Sequence, residues 1–208
     1  ADAGWACLTW PKEYGGQGMG RMENIIFNQE EAKFRLPPNI YAIGHGMLGP
    51  TLIAHGTEEQ KAKYLPAMIR GNEVWCQAFS EPDAGSDLAA LRTSAVRDGD
   101  DWILNGQKIW QSGAHLADWC LVYSRTDSDV TAKHRGMSVL LVDLKTPGIT
   151  IRPIELLYGN TNEVFYDNVV VPKENLLGVK NEGWILATDA FNLDRTCGVG
   201  HILFAKGE

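Results

Sequence analysis

Ala78-Phe79-Ser80-Glu81-Pro82-Asp83-Ala84-Gly85-Ser86-Asp87-Leu88 is the stretch on which the reading of this chain turns. An apolar, strand-like run from Val74 to Phe79 leads into it, and Pro, Gly, Ser and Asp then break the run. Leu88-Ala89-Ala90-Leu91 follows at once and favours a short helix. A strand that opens through such a loop onto a helix start leaves several backbone N–H groups unpaired and pointing one way, which suits a phosphate or pyrophosphate. Taken alone, the same residues also make an ordinary turn. A little later, Lys108-Ile109-Trp110-Gln111-Ser112-Gly113 sets an indole and a hydroxyl two residues apart. On a strand both face one side of the sheet, and together they suit a planar heteroaromatic ring that needs packing and one hydrogen bond. Trp110 by itself reads equally well as core.

Working outward, the chain divides into three regions: 1–72 helical, 73–177 rich in strands, and 178–208 helical again. In the first, Thr57-Glu58-Glu59-Gln60 reads as a capping box with two acids in the positive first turn. The spacing predicts that this helix yields near Tyr64-Leu65, because Pro66 cannot donate to it, and that Pro66 starts another turn ending at Gly71. In the second, Ser94 to Arg97 meets Trp102 to Leu104 across Asp98-Gly99, and a second hairpin is predicted across Asn105-Gly106 to Gln107 to Trp110. Further strands are expected at 119–125, 136–143, 149–155 and 163–166. Strands in sequence without intervening helices predict an antiparallel barrel or sandwich. In the third, Leu186, Ala190, Leu193, Cys197 and Phe204 form one apolar stripe at helical spacing. The fold class expected is α+β: an N-terminal α-helical segment, a central antiparallel β-barrel or sandwich, and the first helix of a truncated helical bundle. The stripe has no later segment to receive it, and the chain opens without methionine in a packed-looking segment (Trp5, Leu8, Trp10). The expectation is a fragment of a longer protein.

Composition narrows the function classes. The 208 residues carry a net charge of −7, with 44% hydrophobic and 22% charged residues, as in ordinary globular proteins. That balance argues against broad nucleic-acid or anionic-membrane binding, and no apolar run is long enough to span a bilayer. No charged-then-apolar leader opens the chain. Cys7, Cys76, Cys120 and Cys197 are scattered without a C-x-x-C pair, which reads as buried free thiols in a reducing compartment. His45, His55, His115, His134 and His201 show no metal-ligand spacing, so no metal is expected. Lys133-His134-Arg135 reads as a solvated loop.

Several ordered landmarks resemble the acyl-CoA dehydrogenase family, over essentially all of the chain. They are Pro11-Lys12-Glu13-Tyr14-Gly15-Gly16, Gly56 to Lys61 with Tyr64-Leu65-Pro66, Ala78 to Ala90, and Asn105-Gly106-Gln107-Lys108-Ile109-Trp110. Asn162 to Phe165 with Val169 to Pro172, and Gly183-Trp184 with Asp194-Arg195, complete the series. Each motif alone is weak; in order and at family-like spacing they are specific.

The resemblance implies an FAD-dependent enzyme that converts an acyl-CoA thioester to trans-2-enoyl-CoA, a glutamate taking the α-proton and the flavin the hydride. By it, the backbone of Gln77, Ala78, Phe79 and Ser80 and the Ser80 hydroxyl would meet the flavin's polar edge, and Gly85 and Ser86 the pyrophosphate. Trp110 would pack on the ring, with the Ser112 hydroxyl near its reactive nitrogen. Gln111, less usual at its place, belongs to the same cofactor-binding segment with its side chain expected to point away. Ser86, Asn192 and Arg195 would contact substrate. Glu81 is implied to be structural, and the catalytic base to lie beyond Glu208, so no residue here is assigned that role and the 208 residues alone are expected to be inactive. The resemblance further implies electron-transfer flavoprotein or a similar acceptor as partner, and a homo- or hetero-oligomer. The wording around Trp75-Cys76-Gln77 and His115 to Trp119 is nearer bacterial members, hence a cytoplasmic location, or the mitochondrial matrix in a eukaryote. Two alternatives stay open: an acyl-CoA oxidase or flavin monooxygenase of the same fold, and a non-catalytic subunit of a mixed assembly.

Overall fold

The computed structural model describes residues 4–127, 133–157 and 160–194. The N-terminal part holds α1 (Arg21–Glu31), a π-helical turn (Gly44–Leu48) running into α2 (Gly49–His55), and α3 (Glu58–Ile69). α3 begins as its sequence dictates: the Thr57 hydroxyl accepts the Gln60 N–H at 3.2 Å, and the Gln60 carboxamide oxygen accepts the Thr57 N–H at 3.1 Å. It does not yield at Pro66, however, but continues to Ile69. Pro66 and Ala62 both face solvent, so the Ala62 carbonyl that loses its donor is left on the water-facing side, while Tyr64, Leu65, Met68 and Ile69 stay buried and hold the turn.

The strands are β1 (Trp75–Ala78), β2 (Ser94–Asp98), β3 (Asp101–Lys108), β4 (Trp119–Arg125), β5 (Met137–Asp143), β6 (Ile149–Glu155), β7 (Asn160–Pro172) and β8 (Leu176–Leu177). They form one sheet in the order β6-β7-β3-β2-β4-β5-β8, with β1 added alongside β4. The sheet is not a closed barrel: β6 and β8 are its two ends and do not pair. Nor is it wholly antiparallel, since β1 lies parallel to β4 with Cys76 opposite Cys120, and β2 meets β4 in parallel at the single pair Ser94 and Arg125. That one link lets the sheet fold into two halves. Between them lies an apolar core of Ala78, Cys120, Val122, Leu140, Trp102, Leu104, Val164 and Val169, among others. The outer face of β1, β4 and β5 meets α2, α3 and α4 (Gly183–Asp194) through Trp75, Leu121, Tyr123, Leu52, Tyr64 and Leu186. β4 and β5 are therefore covered on both faces, which is why both read as nearly unbroken apolar runs.

The β2–β3 hairpin across Asp98-Gly99 forms as expected, but Asn105-Gly106 makes no hairpin. β3 runs straight through it, with a bulge against β7 between Leu104 and Gly106. The glycine is required by close approach: a Cβ at Gly106 would stand 2.5 Å from the Thr93 hydroxyl and 2.7 Å from its Cα. Asn105 turns outward and accepts the Asn168 N–H at 2.8 Å. On α4, Leu186, Ala187 and Ala190 are buried; Cys197 and Phe204 of the predicted stripe lie outside the described residues. Cys7, Cys76 and Cys120 are free and buried.

Candidate active site

Two loops leave the sheet at neighbouring points. The first follows β1. Its opening carboxylate, Glu81, is buried and closes the loop from within, accepting the Arg92 N–H at 2.6 Å and the Thr93 N–H at 2.9 Å. Lys108, at the end of β3 and 0% exposed, donates to the Glu81 carboxylate at 2.9 Å and to the Phe79 carbonyl at 3.0 Å. Burial pushes the Glu81 carboxyl up, but the Lys108 charge and the two N–H donors outweigh it and hold the group below its ordinary value. Burial likewise pulls the Lys108 ammonium down against the attraction of Glu81. From the other side the Arg125 guanidinium donates to the Ala89 carbonyl at 2.7 Å. With its ends so fixed, the loop turns its middle outward. Gly85 and Ser86 are exposed, and their N–H groups and the Ser80 and Ser86 hydroxyls have no partner among the described residues.

The second loop follows β3, which ends at Lys108, so Trp110 and Ser112 stand in a turn rather than on the predicted strand. The Ile109 N–H donates to the Ser80 carbonyl at 2.9 Å and so places Trp110 one residue from the first loop. Trp110 lies in the left-handed region, φ 61°, a conformation costing a non-glycine residue roughly 1–2 kcal/mol. Its indole is nonetheless 57% exposed. An aromatic side chain held in a costly backbone conformation without burial for its ring is what a ligand platform needs. Gln111 then turns inward and is 2% exposed. Ser112 is exposed again and lines a hollow of about 180 Å³ with Asn39, Ile40, Ile43, Trp75 and Leu116.

The structure sorts the remaining sequence candidates. Gln111 turns its side chain into the interior, and Asn162 engages both its backbone N–H (3.0 Å) and its carbonyl (2.7 Å). The Phe79 ring stacks on Tyr123 at 4.1 Å and Phe191 at 4.8 Å, so it joins β1 to α4. Ala78 is fully buried. Gln77 faces Met47, and its carboxamide oxygen is buried without a donor among the described residues, an acceptor still open. Asn192 is exposed near the end of α4; Arg195 lies outside the described residues. Sequence reasoning missed Asn162 and His115, whose Nδ1 lies 3.1 Å from the Asn162 amide. A signal existed: Thr161 and Asn162 put polar residues where β7 turns inward.

Comparison with known proteins bears on the same loops. The family described as acyl-CoA dehydrogenase, N-terminal domain, matches residues 1–72, and that described as acyl-CoA dehydrogenase, middle domain, matches residues 76–169. The chain belongs to the acyl-CoA dehydrogenase family. Similar proteins include acyl-CoA dehydrogenase IpdE1 of Mycobacterium tuberculosis, 43% identical over 94% of this chain and 51% of the relative. Among solved structures, the Tcur3481-Tcur3483 steroid ACAD superposes with a TM-score of 0.86 at 40% identity, covering 93% of this chain and 50% of that one. The ChsE4-ChsE5 complex from M. tuberculosis gives 0.84 at 42% identity, covering 92% and 49%. The chain thus spans about half the length of the relatives it matches. Its strands sit between helices on either side in the chain. Among the described residues no helix is long and apolar enough to cross a membrane.

Proposed function

We propose that this protein works in the flavin-dependent α,β-dehydrogenation of an acyl-CoA thioester to the trans-2-enoyl-CoA. The observation that carries the reading is the Trp110 indole, exposed and held at φ 61° beside the Ser80 loop. The donor set fits FAD: Trp110 offers an aromatic face, and the Ser80 and Ser112 hydroxyls and the Gly85 and Ser86 N–H groups, which have no partner among the described residues, offer donors for the ring and a diphosphate. The loop is open there: a Cβ at Gly85 would meet nothing within 4 Å. FAD, when bound, supplies the two-electron acceptor. The chain's own residues supply position: the Lys108–Glu81 pair fixes the loop, and Asn162 fixes the turn after Trp110.

Glu81 is engaged by Lys108 and two backbone donors, so it is not the base. The α-proton goes to a carboxylate supplied by the half of the family length that these residues do not include. Ser86, Asn192 and Arg195 are proposed substrate contacts, and an electron-transfer flavoprotein the acceptor. A mixed assembly is a second reading, favoured by the likeness to the ChsE4-ChsE5 complex; there the base would come from this chain or its partner. The test is turnover of an acyl-CoA panel by the intact protein with an artificial electron acceptor. Enoyl-CoA formation with bleaching of the flavin's visible absorbance supports the proposal. Peroxide formed at the rate of enoyl-CoA in air would move it to an oxidase, and a protein without flavin would contradict it.

A further inference from the structure

Gln111 is a polar side chain that the sheet buries where an apolar one would pack more cheaply. Its carboxamide nitrogen lies 3.0 Å from the Cys120 sulfur and 3.5 Å from that of Cys76. Those two cysteines are brought together only because β1 and β4 pair in parallel with Cys76 opposite Cys120. Thiols are weak acceptors, and the Gln111 carboxamide oxygen finds no donor among the described residues. The hydroxyl of Tyr166 lies within electrostatic reach of Gln111 and both thiols, and it too has no hydrogen-bond partner there. For the fold alone, a leucine of similar volume would be as good or better, since it removes a buried carboxamide oxygen that has no donor among the described residues.

What the glutamine accomplishes is directional. It follows Trp110 directly, and the left-handed backbone of Trp110 needs its neighbours held on both sides. Ile109 is tied to Ser80, and Gln111 is tied to Asn162 by both backbone groups. The side chain adds a third tie, into the β1–β4 pair from which the Ser80 loop itself departs. We infer that Gln111 is a positioning residue for the Trp110 platform, its carboxamide anchored on Cys76 and Cys120 so that the indole is presented outward in one orientation. The inference rests on the proposed flavin reading and adds to it the residue that fixes the ring's support.

The test labels the tryptophans of the intact protein with 5-fluorotryptophan and assigns the position-110 resonance by its loss in Trp110→Phe. In flavin-free Gln111→Leu that resonance splits or broadens while the remaining tryptophan resonances keep their shifts. The dissociation constant for FAD rises roughly tenfold, as expected for a loosened support. Cys120→Ala, which removes the nearer sulfur and leaves Gln111 in place, moves the same resonance the same way by less. An unchanged position-110 resonance with FAD affinity within about twofold of wild type in Gln111→Leu overturns the inference and leaves the flavin reading standing. If Trp110→Ala binds FAD as wild type does, the flavin reading itself fails and the inference with it.

Discussion

The two loops that meet at Trp110 are held by opposite means. The Ser80 to Leu91 loop is closed by a charged, largely buried cluster in which Lys108, Glu81 and the backbone of Phe79, Arg92 and Thr93 satisfy one another. The Trp110 to Leu116 turn is closed by neutral amides, Gln111 and Asn162, and by weak thiol contacts. A charged cluster is sensitive to any change, because removing one member strands the other in a medium that cannot solvate it. Removing one of two buried neutral amides leaves its partner unsatisfied at a cost of about 1–3 kcal/mol, less than a stranded charge. The first loop is thus the costlier of the two to perturb, which suits a pair in which one element is proposed to cradle a diphosphate and the other to support a ring.

Breaking the charged side is the severest perturbation. Lys108→Met leaves the Glu81 carboxylate buried without its cation and should cost about 3–5 kcal/mol, read by urea denaturation; a Lys108→Met/Glu81→Leu double variant should recover a good part of it. Next comes the strand beneath. Gly106→Ala would press on Thr93, the residue whose N–H caps Glu81, at a cost of about 1–3 kcal/mol in the same assay. The acid limb of stability separates the loops further. Glu81 lies below its ordinary value of 4.5 when folded, so its contribution is complete above that pH and is lost as pH falls through the folded value. Glu81→Gln should therefore lower Tm at neutral pH and flatten its fall below pH 4.5, whereas Asn162→Ala should lower Tm without altering that slope.

The smallest stability effect belongs to the outer face. Gly85→Ala should change stability by no more than about 0.5 kcal/mol, since nothing surrounds it. FAD titration of the same variant should nevertheless show weaker binding if the diphosphate approaches the Gly85 and Ser86 N–H groups as proposed.

How much of this could be read beforehand followed the range over which each feature is decided. The Thr57 to Gln60 cap is local and was legible, as were β4 and β6, whose bounds follow directly from apolar and alternating runs. Asn105-Gly106 carries the strongest local hairpin signal and still forms a bulge, because Thr93 on another segment decides what fits there. Pro66 is tolerated inside α3 because its lost bond faces water and buried neighbours hold the turn, and burial is a tertiary matter. The parallel pairing of β1 with β4 left no trace in the sequence, and with it went the meeting of Cys76, Cys120 and Gln111. Ser80, Gly85, Ser86, Trp110 and Ser112 could be picked out from residue type and spacing; that Gln111 faces inward between them could be expected, but not what it touches there.

The measurement that bears most directly on the account is the structure of the intact protein crystallised with FAD. The isoalloxazine should lie against the Trp110 indole, with the hydroxyls of Ser80 and Ser112 on its polar atoms and the diphosphate on the Gly85 and Ser86 N–H groups. A flavin bound elsewhere, with the Trp110 ring left in solvent, would contradict it.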